Sequence, residues 1–253
     1  MKGSLKNQFL ICSSKRQAMI IFATFGDSLR YTEPLKKIVA EANEMGVFDG
    51  VAPFTERSLS QEWITKHMEF LMKNPRGFGY WMWKPQVVKQ CFAHMKDDDI
   101  LVYADCGCRL NKEGKTRLLE YIEMARKDES ANVSFQLPFE EREYNKQIVM
   151  DKYPTVDPTS KQLVGGIFVL RKCSKTVEMV NEWANLCEED AYIYLTDQAT
   201  PGNSRAFKEH RHDQAIWSVI RKARGTVMIP DETYYENWDE NKDKPIHAMR
   251  RKW

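Results

Sequence analysis

The feature that most constrains the fold is a short apolar run that ends in a single carboxylate. Ile100–Ala104 reads ILVYA, Asp105 follows it directly, and Gly107 comes soon after. A strand that delivers an acid at its carboxyl end, followed by small residues, is how an open α/β sheet presents a ligand in its crevice. The alternative is a strand that ends in a solvated aspartate, with a turn at Gly107. This segment alone leaves both interpretations open.

Apolar runs of strand length alternate with amphipathic stretches of helix length in the first half of the chain. The runs at residues 19–25, 50–54 and 100–104 are separated by stretches with helical spacing, and Pro85 suits the first turn of a helix. This alternation predicts an α/β fold in which a mostly parallel central sheet is flanked by helices on both faces. No repeat or low-complexity segment divides the chain, so we expect a single domain over residues 1–253.

The second half of the chain is less regular and contains a pair of glycines. The apolar strand predicted at residues 163–170 is interrupted by Gly165-Gly166, where the backbone can closely approach another group. The polar stretch 140–160 predicts a long connection, which in a compact domain is usually functional or mobile. Periodicity elsewhere predicts helices over residues 114–127, 174–189 and 213–224, and strands over 132–136 and 226–229.

Charge and hydrophobicity exclude several classes of protein. The 38 basic and 36 acidic residues leave a formal net charge of +2, which does not suit a general binder of nucleic acid. A small phosphorylated ligand needs only local positive charge and remains compatible. No run approaches the ~18 apolar residues of a membrane span.

The two ends of the chain differ in composition from the segments between them. The apolar stretch at residues 9–12 is too short for the ~7–15-residue core of a signal peptide, so we expect a cytoplasmic protein. Residues 1–18 are expected to be a flexible or appended leader. Residues 231–253 are aromatic and charged, and we expect them to wrap over the domain and close its site.

Six cysteines are scattered without the spacing of a disulfide framework, and we predict that they are reduced thiols. Cys106-x-Cys108 is not predicted to bind zinc, because no second Cys/His pair lies at zinc-finger spacing. The six are Cys12, Cys91, Cys106, Cys108, Cys173 and Cys187.

Residues 77–85 read GFGYWMWKP and place four aromatic rings and a lysine between two glycines and a proline. Such a loop can supply a stacking face and a cation at a helix N-terminus, where unpaired N–H groups also favour phosphate. The alternative is an aromatic cluster that buries loop backbone against the core. Lys84 favours the ligand-binding interpretation, because a lone cation between Trp83 and Pro85 is poorly placed for a core.

Asp213 follows two histidines and precedes an apolar-periodic helix in the segment HRHDQ. An aspartate in this position is by default the N-cap of the helix. The same aspartate can also be a general base aimed into a crevice, with its ionised form favoured by the helix terminus. The two roles do not exclude each other.

His247 is isolated in a tail that is otherwise rich in lysine and arginine. It is by default a surface histidine, and the basic residues around it form a solvated face. Magnesium and manganese need few protein ligands when a substrate diphosphate supplies oxygens, so one carboxylate and one imidazole can suffice. The basic residues are Lys242, Lys244, Arg250, Arg251 and Lys252, and one or two of them could neutralise a diphosphate.

The order and spacing of six segments resemble the glycosyltransferases of the GT-A fold, which is Rossmann-like. These segments are MIIFATFGDS, FDGVAPFTE, GFGYWMWKP, ILVYADCGC, LVGGIFVLRK and HRHDQAIWS, and the similarity covers about residues 19–250. GFGYWMWKP and HRHDQ are fairly specific, whereas the likeness of the fold is broader. Within the family the chain is similar to the cytoplasmic transferases with which chloroviruses build capsid glycans, in particular a β-xylosyltransferase.

The resemblance implies a set of donor-binding residues. Asp105 matches the first acid of the family's Asp-x-Asp motif, but Gly107 stands where the second acid would be, which makes the strength of metal binding and the need for a metal open questions. His247 resembles the C-terminal histidine that completes the metal site in this family. The implied donor-binding residues are Thr24, Phe25, Gly26, Trp83, Lys84, Asp105, Gly165, Gly166 and His212.

The resemblance also implies a reaction. A sugar, xylose in the most similar group, would pass from a UDP-sugar to a hydroxyl of a glycan acceptor such as a capsid N-glycan. Asp213 would be the base of an inverting reaction, and Mn²⁺ or Mg²⁺ held by Asp105 and His247 would stabilise the departing diphosphate. Four acids could bind acceptor hydroxyls, with surface charge as the alternative: Glu140, Glu141, Glu143 and Asp197.

Other functions remain open at this point. In a retaining transferase Asp213 would contact the donor sugar and would not be the base. A non-catalytic module that binds a nucleotide or a glycan is a different class, and the missing second acid would be its signature. A nucleic-acid-binding protein that uses the aromatic loop and the basic tail is disfavoured by the near-neutral charge.

Overall fold

The centre of the molecule is a seven-stranded sheet, seen in a computed structural model that describes residues 17–249. A separate two-stranded ribbon is formed by β4 and β9. The strands in chain order are β1 (Ile20–Phe25), β2 (Gly50–Phe54), β3 (Ile100–Ala104), β4 (Arg109–Leu110), β5 (Asn132–Glu140), β6 (Lys161–Leu163), β7 (Ile167–Arg171), β8 (Val227–Pro230) and β9 (Ile246–His247).

The direction of the strands confirms the predicted sheet. β1 is parallel to β2 and β3, and β5 is parallel to β8, whereas β7 runs antiparallel to both β3 and β5, and β6 antiparallel to β5. Five of the seven strands in the described part of the sheet therefore point the same way. The interruption predicted at Gly165-Gly166 is confirmed, and it is complete: the strand predicted over residues 163–170 is divided into β6 and β7, which pair with different parts of β5.

Helices cover both faces of this sheet. The connection predicted over residues 140–160 is in part helical, which corrects that prediction. Glu140 and Glu143 form a reciprocal capping box there, which satisfies N–H groups at a helix start and favours the short helix. The helices are α1 (Thr32–Met45), α2 (Gln61–Lys73), α3 (Gly77–Tyr80), α4 (Trp83–His94), α5 (Lys115–Lys127), α6 (Glu141–Tyr144), α7 (Gln147–Asp151), α8 (Ser174–Tyr192) and α9 (His212–Arg224).

The core consists of two apolar layers, one on each face of the sheet. Tyr103 belongs to the layer that includes α4, α8 and α9, where Trp183 and Trp217 stack with ring centroids 4.4 Å apart. Val102 and Phe22 belong to the opposite layer, with apolar residues of α1 and α5. Every residue of β3 is buried, because this strand is central and covered on both faces. The buried strand therefore fixes the position of Asp105, which follows it directly.

The described part of the C-terminal tail crosses the domain and pairs with the chain just after Asp105. His247 in β9 lies opposite Arg109 in β4. A Cβ built on Gly114 would overlap the backbone of Lys244 and Pro245, so the tail packs directly on this glycine. Arg250, Arg251 and Lys252 lie outside the described residues, as do residues 1–16 of the predicted leader.

Two predictions about the whole chain can be compared with the described residues. No helix within residues 17–249 is long and apolar enough to cross a membrane. The five cysteines in this range form no disulfide bond with one another, and Cys12 lies outside it. Burial raises the pKa of the Cys106 thiol to about 12, so this thiol is protonated at neutral pH.

Candidate active site

Asp105 lies at the carboxyl end of β3, in the crevice where open α/β sheets bind ligands. Its backbone N–H donates to the carbonyl oxygen of Gly166 over 2.8 Å. The hydroxyl of Tyr103 donates to Asp105 Oδ1 over 2.8 Å, and 39% of the aspartate side chain is exposed. The carboxylate is thus oriented by the strand that carries it and still reaches the crevice. The turn of the alternative interpretation is present at residues 106–107, but the aspartate is not merely solvated.

Lys84 joins three of the predicted site residues. Its ammonium Nζ lies 2.8 Å from Asp213 Oδ2 and 3.4 Å from Asp105 Oδ1, and it donates to the carbonyl oxygen of Gly165 over 3.3 Å. The side chain is almost fully buried, with a relative exposure of 3%. Although burial disfavours the charged form, the two carboxylates raise the pKa of Lys84. The lysine is therefore a fixed internal cation shared by two acids.

Asp213 is buried in the first turn of α9 and does not cap that helix. Arg211 occupies the N-cap position and no side chain caps the helix, so the prediction of Asp213 as N-cap is wrong. The carboxylate is directed to Lys84 because the two buried charges compensate each other. Burial raises the pKa of Asp213 to about 6, and Lys84 opposes this rise. An acid with this pKa is ionised at neutral pH and can accept a proton.

The glycine pair brings backbone close to the two acids. A Cβ built on Gly166 would overlap Asp105 Oδ2, and a Cβ built on Gly165 would lie 2.8 Å from the Cα of Gln214 in α9. The side chain of Gln214 also accepts a hydrogen bond from the Gly165 N–H over 3.1 Å. The close backbone approach predicted for this pair is confirmed, and it holds the start of α9 beside Asp105.

The residues at the end of β1 form one wall of the crevice. The hydroxyl of Thr24 is buried, without a hydrogen-bond partner among residues 17–249. Phe25 stacks on Trp83 with ring centroids 3.7 Å apart, and the Trp83 indole donates to the carbonyl of Gly77 over 2.9 Å. A Cβ built on Gly26 would lie 3.2 Å from the Cys106 sulfur. Trp83 therefore buries loop backbone against Phe25, as the aromatic-cluster interpretation expects.

Two aromatic residues of the crevice, Tyr103 and Tyr31, were not predicted from the sequence. Tyr103 alternates with Asp105 along the strand direction, and period-two alternation could have placed its hydroxyl near that acid. Tyr31 precedes α1 and is partly exposed. Its pKa is raised mainly by burial, and the nearby Cys106, Asp27 and Asp105 raise it further. No local signal distinguishes Tyr31 from an ordinary surface tyrosine, because only the packing of α1 brings it to this crevice.

His247 is buried in the tail, and one of its ring nitrogens has an unpaired acceptor site among the described residues. Its Nε2 lies 3.0 Å from the carbonyl oxygen of Lys244 and must donate, so Nδ1 carries the lone pair. Nδ1 is buried without a hydrogen-bond partner in the part of the chain that the structure describes. Burial lowers the pKa of His247, and the ring stacks on Trp238 with centroids 3.5 Å apart. A neutral, oriented imidazole is the form that binds metals.

The described residues fit a metal held mainly by its substrate. No group of three His, Cys, Asp or Glu side chains that could hold a metal ion occurs within residues 17–249. The predicted donors are one carboxylate, Asp105, which follows β3, and one imidazole, His247 in β9, which lies opposite Arg109 a few residues after Asp105. Mg²⁺ and Mn²⁺ accept such sparse sets when diphosphate oxygens and water complete them.

The four predicted acceptor-binding acids have different environments. Glu141 is fully buried and lies 2.9 Å from Lys222 Nζ, so both interpretations of this residue, acceptor contact and surface charge, are wrong. Glu140 and Glu143 cap α6. Asp197 is half-exposed and lies 2.9 Å from an Arg76 guanidinium nitrogen.

The fold is that of a known glycosyltransferase. A solved structure described as a glycosyltransferase involved in the glycosylation of the major capsid of PBCV-1 matches with a TM-score of 0.50 and 12% sequence identity, covering 91% of this chain and 92% of that chain. At this identity the likeness concerns the fold, and at that level it confirms the resemblance predicted from the six segments. No protein-family model matches the chain, and no curated protein matches it.

Proposed function

We propose that this protein is a glycosyltransferase that moves a sugar from a UDP-sugar to an acceptor hydroxyl with inversion. One observation carries the proposal: Asp105 and Asp213, which belong to different segments, converge on the buried Lys84 at the carboxyl-end crevice of the sheet. The fold shared with a glycosyltransferase supports it. The same arrangement suits a nucleotide donor, because this crevice is where α/β sheets bind nucleotides.

Asp213 is the base in the proposed reaction. The acceptor oxygen attacks C1 of the donor sugar, the bond from C1 to the diphosphate oxygen breaks, and its electron pair leaves with the diphosphate. The acceptor proton passes to the Asp213 carboxylate. Lys84, at 2.8 Å, keeps that carboxylate ionised before the attack, against the burial that raises its pKa to about 6.

Asp105 and His247 would hold Mn²⁺ or Mg²⁺ beside the diphosphate. When bound, the ion supplies Lewis-acid stabilisation of the charge on the leaving group. Tyr103 orients the Asp105 carboxylate by donating to Oδ1, and the absence of a side chain at Gly166 leaves room for Oδ2. The buried lone pair of His247 Nδ1 is the second protein donor in this proposal.

We propose xylose as the sugar and a capsid glycan as the acceptor, with transfer in the cytoplasm. The motif resemblance supports xylose, and the solved structure with the same fold is described as acting on the major capsid of PBCV-1. A screen of UDP-xylose, UDP-glucose, UDP-galactose and UDP-rhamnose, monitored by UDP release, tests the donor. The proton coupling at the new anomeric centre, measured by NMR, distinguishes inversion from retention.

The variant Asp213→Asn tests the base. We expect transfer to fall by about 10²–10⁴-fold, the usual contribution of a general base, while UDP affinity by calorimetry stays within about twofold. Asp151→Asn, an exposed acid in α7, is the control and should leave turnover unchanged. Unchanged turnover in Asp213→Asn would remove the base assignment. UDP binding without turnover of any UDP-sugar would instead favour a non-catalytic nucleotide-binding module.

The variant Asp105→Asn tests the metal site by binding alone. Calorimetry should give tighter UDP binding with Mn²⁺ than with a chelator in the parent protein, and this difference should disappear in Asp105→Asn. Equal UDP affinity with and without Mn²⁺ in the parent protein would exclude the ion from donor binding.

A further inference from the structure

Residues 77–81 form a turn of left-handed backbone, which we call the left-handed turn. The φ angles of Gly77, Phe78, Gly79, Tyr80 and Trp81 are 58°, 51°, 80°, 54° and 62°. This conformation is unfavourable for every residue with a Cβ and is seldom adopted by consecutive residues. Such strain persists only where the surrounding structure imposes it, and it is concentrated at functional sites. The left-handed turn is therefore expected to hold side chains in a position that function requires.

The left-handed turn presents two aromatic rings to His212. The ring centroids of Tyr80 and Trp81 lie 4.6 Å and 5.6 Å from that of His212. His212 itself has a φ of 50° and immediately precedes the proposed base, Asp213. Residues with left-handed backbone, in the left-handed turn and at His212, thus face each other next to the proposed base Asp213.

His212 keeps one buried nitrogen without a partner. Its Nδ1 lies 2.8 Å from the carbonyl oxygen of Leu195 and must donate, so Nε2 carries the lone pair. Nε2 is buried and has no hydrogen-bond partner within residues 17–249, and the residue is 2% exposed. Burial lowers the pKa of His212, which keeps the ring neutral. A buried acceptor of this kind is costly unless something donates to it.

Asp197 supplies a second acceptor beside the first. Its Oδ1 lies 3.6 Å from His212 Nε2, so two lone-pair atoms face each other with no proton between them. Two adjacent hydroxyl groups would satisfy both atoms, because each hydroxyl donates one hydrogen bond. Vicinal hydroxyls on a sugar ring provide this pair of donors.

The rim of the region suits the remaining parts of a sugar ring. Arg76 Nη1 lies 2.9 Å from Asp197 Oδ2 and leaves other N–H groups for hydroxyl oxygens. Burial raises the pKa of Tyr80, and the hydrogen-bonded carboxylate of Asp197 raises it further. Lys146 donates to the carbonyl oxygens of Thr196 and Gln198 over 2.9 Å and 3.3 Å, which fixes the loop that carries Asp197.

We propose that Arg76, Tyr80, Asp197 and His212 form an acceptor subsite for a pyranose that presents two adjacent hydroxyl groups. The proposal rests on the proposed function, because it places the acceptor next to the base Asp213. It assigns His212 to the acceptor, whereas the sequence resemblance assigned it to the donor. The left-handed turn is the device that brings the Tyr80 ring to this position.

An open groove along α8 differs from the proposed subsite because its charged groups are paired with each other. Its Glu182 accepts from the Tyr153 hydroxyl over 2.8 Å and from Arg224 over 2.9 Å, and Lys152 pairs with Glu189. These polar groups satisfy each other, so the groove offers no comparable demand for a ligand hydroxyl. It supplies a matched control, because Glu189 is half-exposed and lysine-paired, much as Asp197 is half-exposed and arginine-paired.

Ligand-observed saturation-transfer NMR on the full chain tests the subsite. The probes are methyl β-D-xyloside, methyl β-D-glucoside, methyl β-D-galactoside and methyl α-L-rhamnoside. We expect at least one probe to bind, with the affinity reduced about tenfold in Asp197→Asn and in His212→Leu, because each loses an acceptor. Glu189→Gln should bind as the parent does. Melting temperatures check the fold of each variant, and Asp197→Asn, a change at a half-exposed side chain, keeps the test decisive should His212→Leu not fold.

Two results would overturn the subsite: no probe binds the parent protein, or binding is equal in Asp197→Asn and the parent. UDP release separates this from failure of the proposed function. Where turnover is found, Asp197→Asn should raise the acceptor KM about tenfold, whereas Glu189→Gln should leave the acceptor KM unchanged. Probe binding that needs Asp197, without turnover of any UDP-sugar, would retain the subsite and reject the transferase.

Discussion

Two buried lysine–carboxylate pairs in this protein have similar geometry and different surroundings. Lys84 Nζ lies 2.8 Å from Asp213, and Lys222 Nζ lies 2.9 Å from Glu141. In both pairs the lysine side chain is at most 8% exposed. Burial lowers the pKa of Lys222, whereas the pKa of Lys84 is raised because two carboxylates oppose the effect of burial.

The two pairs differ in the sign of the excess charge around them and in whether a charged group is exposed to solvent. Glu141 is fully buried, accepts from Asn145 and Gln162 over 3.3 Å and 3.2 Å, and also contacts the Ser218 hydroxyl. Arg221, whose pKa burial lowers to about 9, adds a second cation near this acid. At Lys84 one cation serves two carboxylates, and the Asp105 side chain is 39% exposed. Excess negative charge that reaches a crevice can take up a proton or a cation, whereas a closed and fully paired cluster can only stabilise the fold.

Removal of each lysine should give the largest difference in stability and in turnover between the two pairs. Lys84→Met leaves two carboxylates without their cation and should cost about 3–5 kcal/mol of unfolding free energy. Lys222→Met should cost only about 1–3 kcal/mol, because Glu141 keeps neutral donors. Urea unfolding at pH 7.5 measures both. Transfer should be lost in Lys84→Met and retained in Lys222→Met; equal effects on turnover would mean that the Lys84 cluster is structural as well.

Replacement of the two glycines near Asp105, Gly166 and Gly107, should show which side of the carboxylate must stay open for metal-dependent UDP binding. A Cβ at Gly166 overlaps Asp105 Oδ2, whereas a Cβ at Gly107 meets no atom within 4 Å. We expect Gly166→Ala to reduce Mn²⁺-dependent UDP affinity by about 10–100-fold, as for a displaced metal ligand, and Gly107→Ala to leave it within about twofold. Calorimetry gives both values. A larger loss of Mn²⁺-dependent UDP affinity in Gly107→Ala than in Gly166→Ala would contradict this, because the ligand would then approach Asp105 from the side of Gly107.

Displacement of the tail should have a smaller effect on the same binding. Gly114→Ala would push the backbone of Lys244 and Pro245 away, and with it His247 in β9. UDP affinity in the presence of Mn²⁺ should fall about tenfold, while affinity measured with a chelator should not change. An equal fall under both conditions would assign the tail to nucleotide contact and not to the metal.

The smallest expected effect is the pH dependence of the Asp213 cluster. Because the pKa of Asp213 is raised to about 6, kcat/KM should be half-maximal near pH 6 on its acid side. The folded state also holds this proton longer than the unfolded state, so the contribution to stability is full at low pH and falls as pH rises from about 4 to about 6. Asp213→Asn should remove this fall in urea unfolding, and Lys84→Gln should move it to higher pH. A pH profile that is identical in Lys84→Gln would contradict the role of Lys84.

Much of the fold could be predicted from local patterns. The alternation of apolar runs predicts the α/β sheet, and Asp105 at the end of Ile100–Ala104 predicts the position of the crevice. The Gly165-Gly166 pair correctly predicted close backbone contact. These predictions succeed because strand periodicity, helix periodicity and the lack of a Cβ are properties of short segments.

The environment of each charge could not be predicted in this way. Sequence patterns left Asp213 as either a cap or a base and Glu141 as either an acceptor-binding or a surface acid. Both are buried beside lysines from other segments, which no local pattern indicated. Whether an acid is solvated or buried depends on partners that the chain brings together only by folding.

Local patterns in the sequence were enough to predict β1, β2 and β3 with the helices between them, the crevice at the end of β3 and the residue types available there. The tertiary structure alone decided that Lys84 lies between Asp105 and Asp213, and that residues 77–81 adopt left-handed backbone beside His212. The physical reason is the same in both cases. A shared buried cation and a left-handed turn oppose local preference, so they exist only where long-range packing and compensating charges offset their cost.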